Sequence, residues 1–125
     1  MVRLALHGMM LAALALLLTT SHVRGQEADY VYTPADTLAA IDETAADSGV
    51  SWRWLYSIVR CETGGTFNPY AVGRLGEKGA AQLHPRGELP RFYAYGYDNP
   101  YSPYQAVAFL AQRLNEGGAR AWTCA

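Results

Sequence analysis

What most constrains this chain is how little of it remains to fold once its beginning is set aside. Arg3 precedes an unbroken apolar run from Met9 to Leu18, and Thr19, Thr20 and Ser21 follow it. That is the layout of an export signal. The run has half of the roughly twenty residues that a membrane-crossing helix needs, so no stable membrane insertion is expected. With the cut after Gly25, residues 1–25 are the signal peptide, 26–32 a short lead-in and 33–125 the folded part. About one hundred residues build one compact domain and not two.

A domain of that size buries a modest core and gains from a cross-link. Its only cysteines are Cys61 and Cys124, and export places them where disulfides persist. A bridge closing a loop of about 60 residues contributes roughly 4 kcal/mol on the chain-entropy estimate. The expected location is secreted or extracytoplasmic, in a periplasm or cell wall.

Of the 10 Lys and Arg, Arg3 and Arg24 fall in the leader, which leaves 8 against 11 Asp and Glu. The mature part, residues 26–125, is therefore mildly acidic. This argues against nucleic acid as a partner, because such binders present a basic footprint. His84 is the one histidine left after processing, and zinc sites want several N or S donors. Neither a metal nor a cofactor is expected, and the chain is expected to act as a monomer.

Helix punctuation is clear at both ends of the domain. Thr33, Pro34 and Asp36 occupy the cap, first and third positions of a helix over Pro34–Ser48, with Leu38, Ile41 and Ala45 at helical spacing and Gly49 as its stop. Ser51 offers a second cap. Trp52, Leu55, Tyr56 and Val59 then recur at i, i+3, i+4, i+7, with Trp54, Ile58 and Cys61 filling a neighbouring stripe. Such a helix, apolar round much of its circumference, is expected to run through the core. It ends near Glu62, where Gly64-Gly65 supplies the left-handed conformation favoured at helix C-termini.

From Thr63 to Pro103 the texture is Gly, Pro, Tyr and single charges, with one or two helical turns expected around Gly79 to Leu83. A last helix opens with Ser102 as cap, Pro103 at N1 and Gln105 at N3, an expected capping box, and stops at Gly117-Gly118. Its core stripe is Val107, Leu110, Ala111 and Leu114. No alternating pattern suggests a strand, so the fold class is all-α.

Glu62 stands out because it lies three residues after Val59, four after Ile58 and seven after Leu55. It extends the apolar stripe. Desolvation and the negative end of the helix dipole both disfavour its charged form. A raised pKa is expected, as a general acid requires near neutral pH.

The residues that follow, Glu62-Thr63-Gly64-Gly65-Thr66-Phe67-Asn68-Pro69-Tyr70-Ala71 and then Gly76-Glu77-Lys78-Gly79-Ala80-Ala81-Gln82-Leu83-His84-Pro85, resemble the signature of the soluble lytic transglycosylases. That family is similar in fold to goose-type lysozyme. Its pattern is a Glu-Ser pair, Phe-Asn-Pro-x-Ala, and a Gly-x-x-Gly-x-x-Gln segment ending in Pro. The likeness runs over roughly residues 36–122 and is specific over 62–85.

The resemblance implies a small lysozyme-like domain acting on peptidoglycan glycan strands. It would cleave the β-1,4 bond between N-acetylmuramic acid and N-acetylglucosamine with Glu62 as the single catalytic group. Gln82 and Thr63 would contact the sugar. Two features depart from the family: Thr63 stands in place of serine, and the late Tyr-Asn-Ala-Gly segment is missing. The tyrosines at 93, 95, 97, 101 and 104 are candidates to stand in, Tyr95 and Tyr101 foremost, since sugar faces stack on aromatic rings. A Cys61–Cys124 bridge would clamp the catalytic turn to the C-terminus in place of the missing segment.

Three rivals remain. Hydrolysis by water would make the domain a goose-type lysozyme, with a partner carboxylate such as Glu77 or Asp98 if it followed the two-carboxylate scheme. A lysozyme-fold module could bind glycan without cutting it. Cys61 with His84 could form a thiol peptidase, but reactive cysteines favour helix N-termini and Cys61 falls near a C-terminus.

Overall fold

A computed structural model describes residues 30–125, and its compact unit runs from Tyr32 to Ala125. The expected signal peptide over 1–25 lies outside the described residues, as does most of the lead-in. The unit holds four helices, α1 (Pro34–Ser48), α2 (Trp52–Glu62), α3 (Glu88–Ala94) and α4 (Pro103–Asn115), and a final 3₁₀ turn at Ala119–Ala121. No strand occurs among the described residues, which carry only the isolated bridges Val72–Lys78 and Lys78–Leu83. The class is all-α.

α1 begins where the sequence punctuates it. The Asp36 carboxylate accepts from the Thr33 backbone N–H at 2.8 Å and from its hydroxyl at 3.2 Å. Gly49, at φ 73°, turns the chain out of the helix and donates its N–H to Ala45 O. The face α1 buries is Thr37, Ala40, Ile41 and Thr44. Leu38, expected in the core, is 40% exposed, because the buried arc is completed by small residues that let α1 lie close on α4, its chief packing partner.

α2 is more one-sided than its composition suggested. Leu55, Ile58 and Val59 are buried, whereas Trp52 and Trp54 are 43% and 40% exposed and Cys61 lies at the surface. The helix edges the core instead of running through it. Its inward stripe is narrow, and the outer rings pack on one another.

The middle of the chain corrects a second expectation. Residues 79–83 form a tight bridged turn, and the helical turns come later, at α3. Pro90 sits at the third position of α3, where its missing N–H costs no helical bond, and it disguises the helix in the sequence. Glu88 starts α3 almost buried. Its carboxylate accepts from Arg113 of α4 at 2.9 Å and from Arg91 at 3.2 Å, which pairs the charge that burial would otherwise penalise.

α4 is the spine. Val107, Leu110, Ala111 and Leu114 are buried as expected, joined by Ala106 and Phe109. Phe109 meets the rings of Phe92, Tyr95, Tyr97 and Trp122 edge-on at 5.3–6.4 Å. The expected capping box is half formed. Ser102 Oγ accepts from the Gln105 N–H at 3.4 Å, but the Gln105 side chain accepts from the N–H groups of Asp98 and Asn99 instead, so it ties down the preceding turn. Beyond the helix, Trp122 is buried and its Nε1 donates to Ala81 O at 2.7 Å, which fastens the C-terminal tail to the bridged turn.

Candidate active site

Glu62 is the last residue of α2, and the chain leaves the helix through Gly64 and Gly65, at φ 61° and 84°. Glycine tolerates that conformation without the penalty that a Cβ brings. Thr63 holds the exit. Its buried hydroxyl donates to Val59 O at 2.8 Å and accepts from the Phe67 N–H at 2.9 Å. Phe67 is thereby kept at φ 54°, an uncommon conformation for a bulky residue. Asn68 Oδ1 then accepts from the Tyr70 N–H at 2.9 Å, a local Asx turn.

The second half of the loop folds back on the first. Lys78 and Leu83 exchange backbone hydrogen bonds at 3.1 and 3.0 Å, and Gly79 N–H donates to Ala71 O at 2.8 Å. A Cβ on Gly79 would collide with the Pro100 carbonyl, so this glycine is required by close backbone packing. Gln82 sits at φ 48°, and its Nε2 donates to Ala71 O at 3.1 Å and Gly79 O at 3.0 Å. With both amide hydrogens engaged, Oε1 is left as an acceptor beside Gly73, where an added Cβ would lie 2.6 Å from it. The same Cβ would collide with the Glu77 carboxylate.

These segments frame an open cleft of about 600 Å³ lined by Glu62, Gly73, Arg74, Leu75, Glu77 and Gln82. Glu62 is half-buried within it. Burial pushes its carboxyl above the usual carboxylate range, the Cys124 backbone N–H pulls it down in part, and the negative charge of Glu77 pushes it up again. Glu77 is fixed by the Leu75 N–H, which donates to Oε2 at 3.0 Å. The Cys61–Cys124 disulfide is formed across 63 residues. It brings the C-terminal tail up to the turn that carries Glu62, so that Cys124 can reach Glu62 with its N–H.

Of the residues singled out from the sequence, Glu62 and Gln82 share the cleft. Thr63 shapes the loop beneath it with a hydroxyl already engaged twice. Tyr95 lies elsewhere: its hydroxyl donates to Glu116 at 2.6 Å and its ring rests on Phe109. Tyr101 pairs with the Tyr70 ring at 5.8 Å and is not part of the cleft lining. Asp98 is held by Gln105 at 2.8 Å, away from the cleft.

Arg74 and Leu75 were not foreseen, and Glu77 was foreseen only as a possible partner. The one sequence signal for Arg74 and Leu75 is position, between Gly73 and Gly76 in the gap between the two motif segments, and Glu77 stands at the start of the second segment, just after Gly76. Among the described residues no group of His, Cys, Asp or Glu could hold a metal ion, and no helix is long and apolar enough to cross a membrane. Compared with protein-family models, with curated proteins and with solved structures, the chain has no match.

Proposed function

We propose that this domain is a lytic transglycosylase that cleaves the β-1,4 bond between N-acetylmuramic acid and N-acetylglucosamine in peptidoglycan. The observation that carries the reading is a half-buried carboxyl, raised above its usual range, in the lining of an open cleft of about 600 Å³. A carboxylic acid that keeps its proton near neutral pH can deliver it to a glycosidic oxygen. Glu62 protonates the bridging oxygen as the C1–O bond breaks. As carboxylate it then takes the proton of the same sugar's C6 hydroxyl, whose oxygen attacks C1 and closes a 1,6-anhydro ring. One proton is lent and recovered, and no water is consumed.

The other cleft residues fit glycan chemistry. Gln82 offers Oε1 as an acceptor for a sugar hydroxyl or amide N–H, and the Nε2 bonds keep it oriented. Arg74 supplies a cation to meet the carboxylates that muramic acid and its peptide carry.

A specific observation favours a second outcome. Glu77 lines the same cleft, and a second carboxylate there can orient a water, which makes the reaction a lysozyme-type hydrolysis. The deciding experiment is digestion of purified peptidoglycan followed by mass analysis of the muropeptides. Anhydro products are expected, reducing-end products identify the hydrolase, and Glu62→Gln is expected to lower cleavage by about 10³-fold. Retention on peptidoglycan without products from the parent chain would identify a binding module.

A further inference from the structure

The side of α2 turned away from Glu62 takes no part in the cleft. Glu62 comes two residues after Arg60, a rotation of about 200° that leaves the two about 160° apart round the axis. On that far side Tyr56, Ser57, Arg60 and Cys61, with Gly64 and Gly65, line a separate hollow of about 370 Å³. Arg53 lies seven residues before Arg60 and so on the same face. Both arginines are exposed. The ion pairs among the described residues are Arg91–Glu88, Arg113–Glu88 and Arg113–Glu116, and neither Arg53 nor Arg60 enters one.

Next to these cations runs a row of rings. Trp52 stacks on Tyr56 at 4.7 Å with 20° between planes, and Tyr56 meets Phe67 at 5.1 Å. Trp52 is fixed by its Nε1, which donates to the Asp42 carboxylate of α1 at 2.6 Å. Glu62 is the sole acidic residue of α2, and it faces the other way. Arg53 and Arg60 thus stand beside a row of rings without an ion-pair partner among the described residues, with Asp42 held on the indole of Trp52.

Pyranose rings present C–H faces that pack on aromatic rings, and carboxylates match the guanidinium fork. We propose that this face of α2 is an exosite for a carboxylate-bearing glycan strand, which it grips while another stretch of polymer lies in the cleft. The identity of the polymer rests on the glycan-cleaving reading of Glu62; the charge and ring pattern does not. Such a site raises the local concentration of substrate for a domain that otherwise has no electrostatic pull toward an anionic wall.

The test is co-sedimentation of the full chain carrying Glu62→Gln with peptidoglycan sacculi stripped of phosphate polymers, which separates binding from cutting. Arg53→Ala with Arg60→Ala is expected to weaken retention about tenfold, as is amidation of the sacculus carboxyls. Both arginines are surface residues without partners, so circular dichroism of the double variant is expected to match the parent. Equal retention by the double variant overturns the exosite, as does retention that survives amidation or that needs the phosphate polymers restored. Cleavage by the chain with native Glu62 is scored in parallel. Active chains whose binding ignores the arginines sink the exosite alone, and inactive chains whose binding follows them sink the enzymatic reading alone.

Discussion

The helices α1 and α4 and the segment 63–87 are held together by different physics, and the second joins Glu62, at the end of α2, in lining the cleft. The helix pair is apolar contact: Ala40, Ile41, Ala106, Val107, Phe109, Leu110 and Ala111 are fully buried, and little polar hardware is needed. The loop is the reverse. Its shape comes from hydroxyl, amide and backbone hydrogen bonds, with Phe67 and Gln82 in left-handed conformations and glycines where a Cβ would collide. An apolar core tolerates conservative exchange, whereas a polar network fails when one member is removed.

The largest expected effect comes from cutting the disulfide that ties the end of α2, from which the loop departs, to the C-terminal tail. Cys124→Ser is expected to lower stability by about 2–4 kcal/mol, measured as the shift of the urea midpoint. It should also lower cleavage at temperatures where the chain stays folded, because the tail no longer holds the turn that carries Glu62 in place. A variant that retains full stability and full activity would show that the tail is passenger and not clamp.

One substitution made in each region sharpens the contrast by sign. In the loop, Thr63→Val removes the acceptor for the Phe67 N–H and the donor to Val59 O, and a loss of about 1–3 kcal/mol is expected. In α1, Thr37 is fully buried, and its hydroxyl is the one buried side-chain polar atom without a hydrogen-bond partner among the described residues. Thr37→Val is near-isosteric and is expected to stabilise by about 1 kcal/mol. Chemical denaturation of the two variants reads both effects. Equal signs would mean that hydroxyls are doing the same thing in core and loop.

The same contrast explains what could be read from the sequence. α1 was legible at both ends and α4 at its start because Thr33, Pro34, Gly49, Ser102 and Pro103 are chemical punctuation and act locally. Glu62 was legible because its helical register places it beside Val59 and Ile58. α3 was hidden by Pro90 and by its length of one to two turns. The exposure of Leu38, Trp52 and Trp54 was hidden because helical periodicity marks apolar faces without saying which of them meets a partner. Arg74, Leu75 and Glu77 reach the cleft through a chain reversal set by long-range bonds, Gly79 to Ala71 and Gln82 to Ala71, and no local pattern encodes those.

The smallest effect on stability, and the one that divides the two chemical outcomes, is the dependence on pH. Glu62 has its carboxyl raised above the unfolded value by burial and by Glu77, so the folded chain binds that proton more tightly than the unfolded chain. Its stabilising contribution is therefore complete below the ordinary carboxylate range and is lost as pH rises through the raised folded value. Half-burial screens the effect, so a small one is expected: against Glu62→Gln, the parent should lose ground as pH climbs toward neutral. Cleavage should fall over the same window, because the acid must carry its proton. Glu77→Gln removes the like charge, and the falling limb is then expected to move to lower pH. If Glu62 works alone, the plateau rate survives that substitution. If Glu77 orients a water, the rate collapses at every pH, and reducing-end products disappear with it.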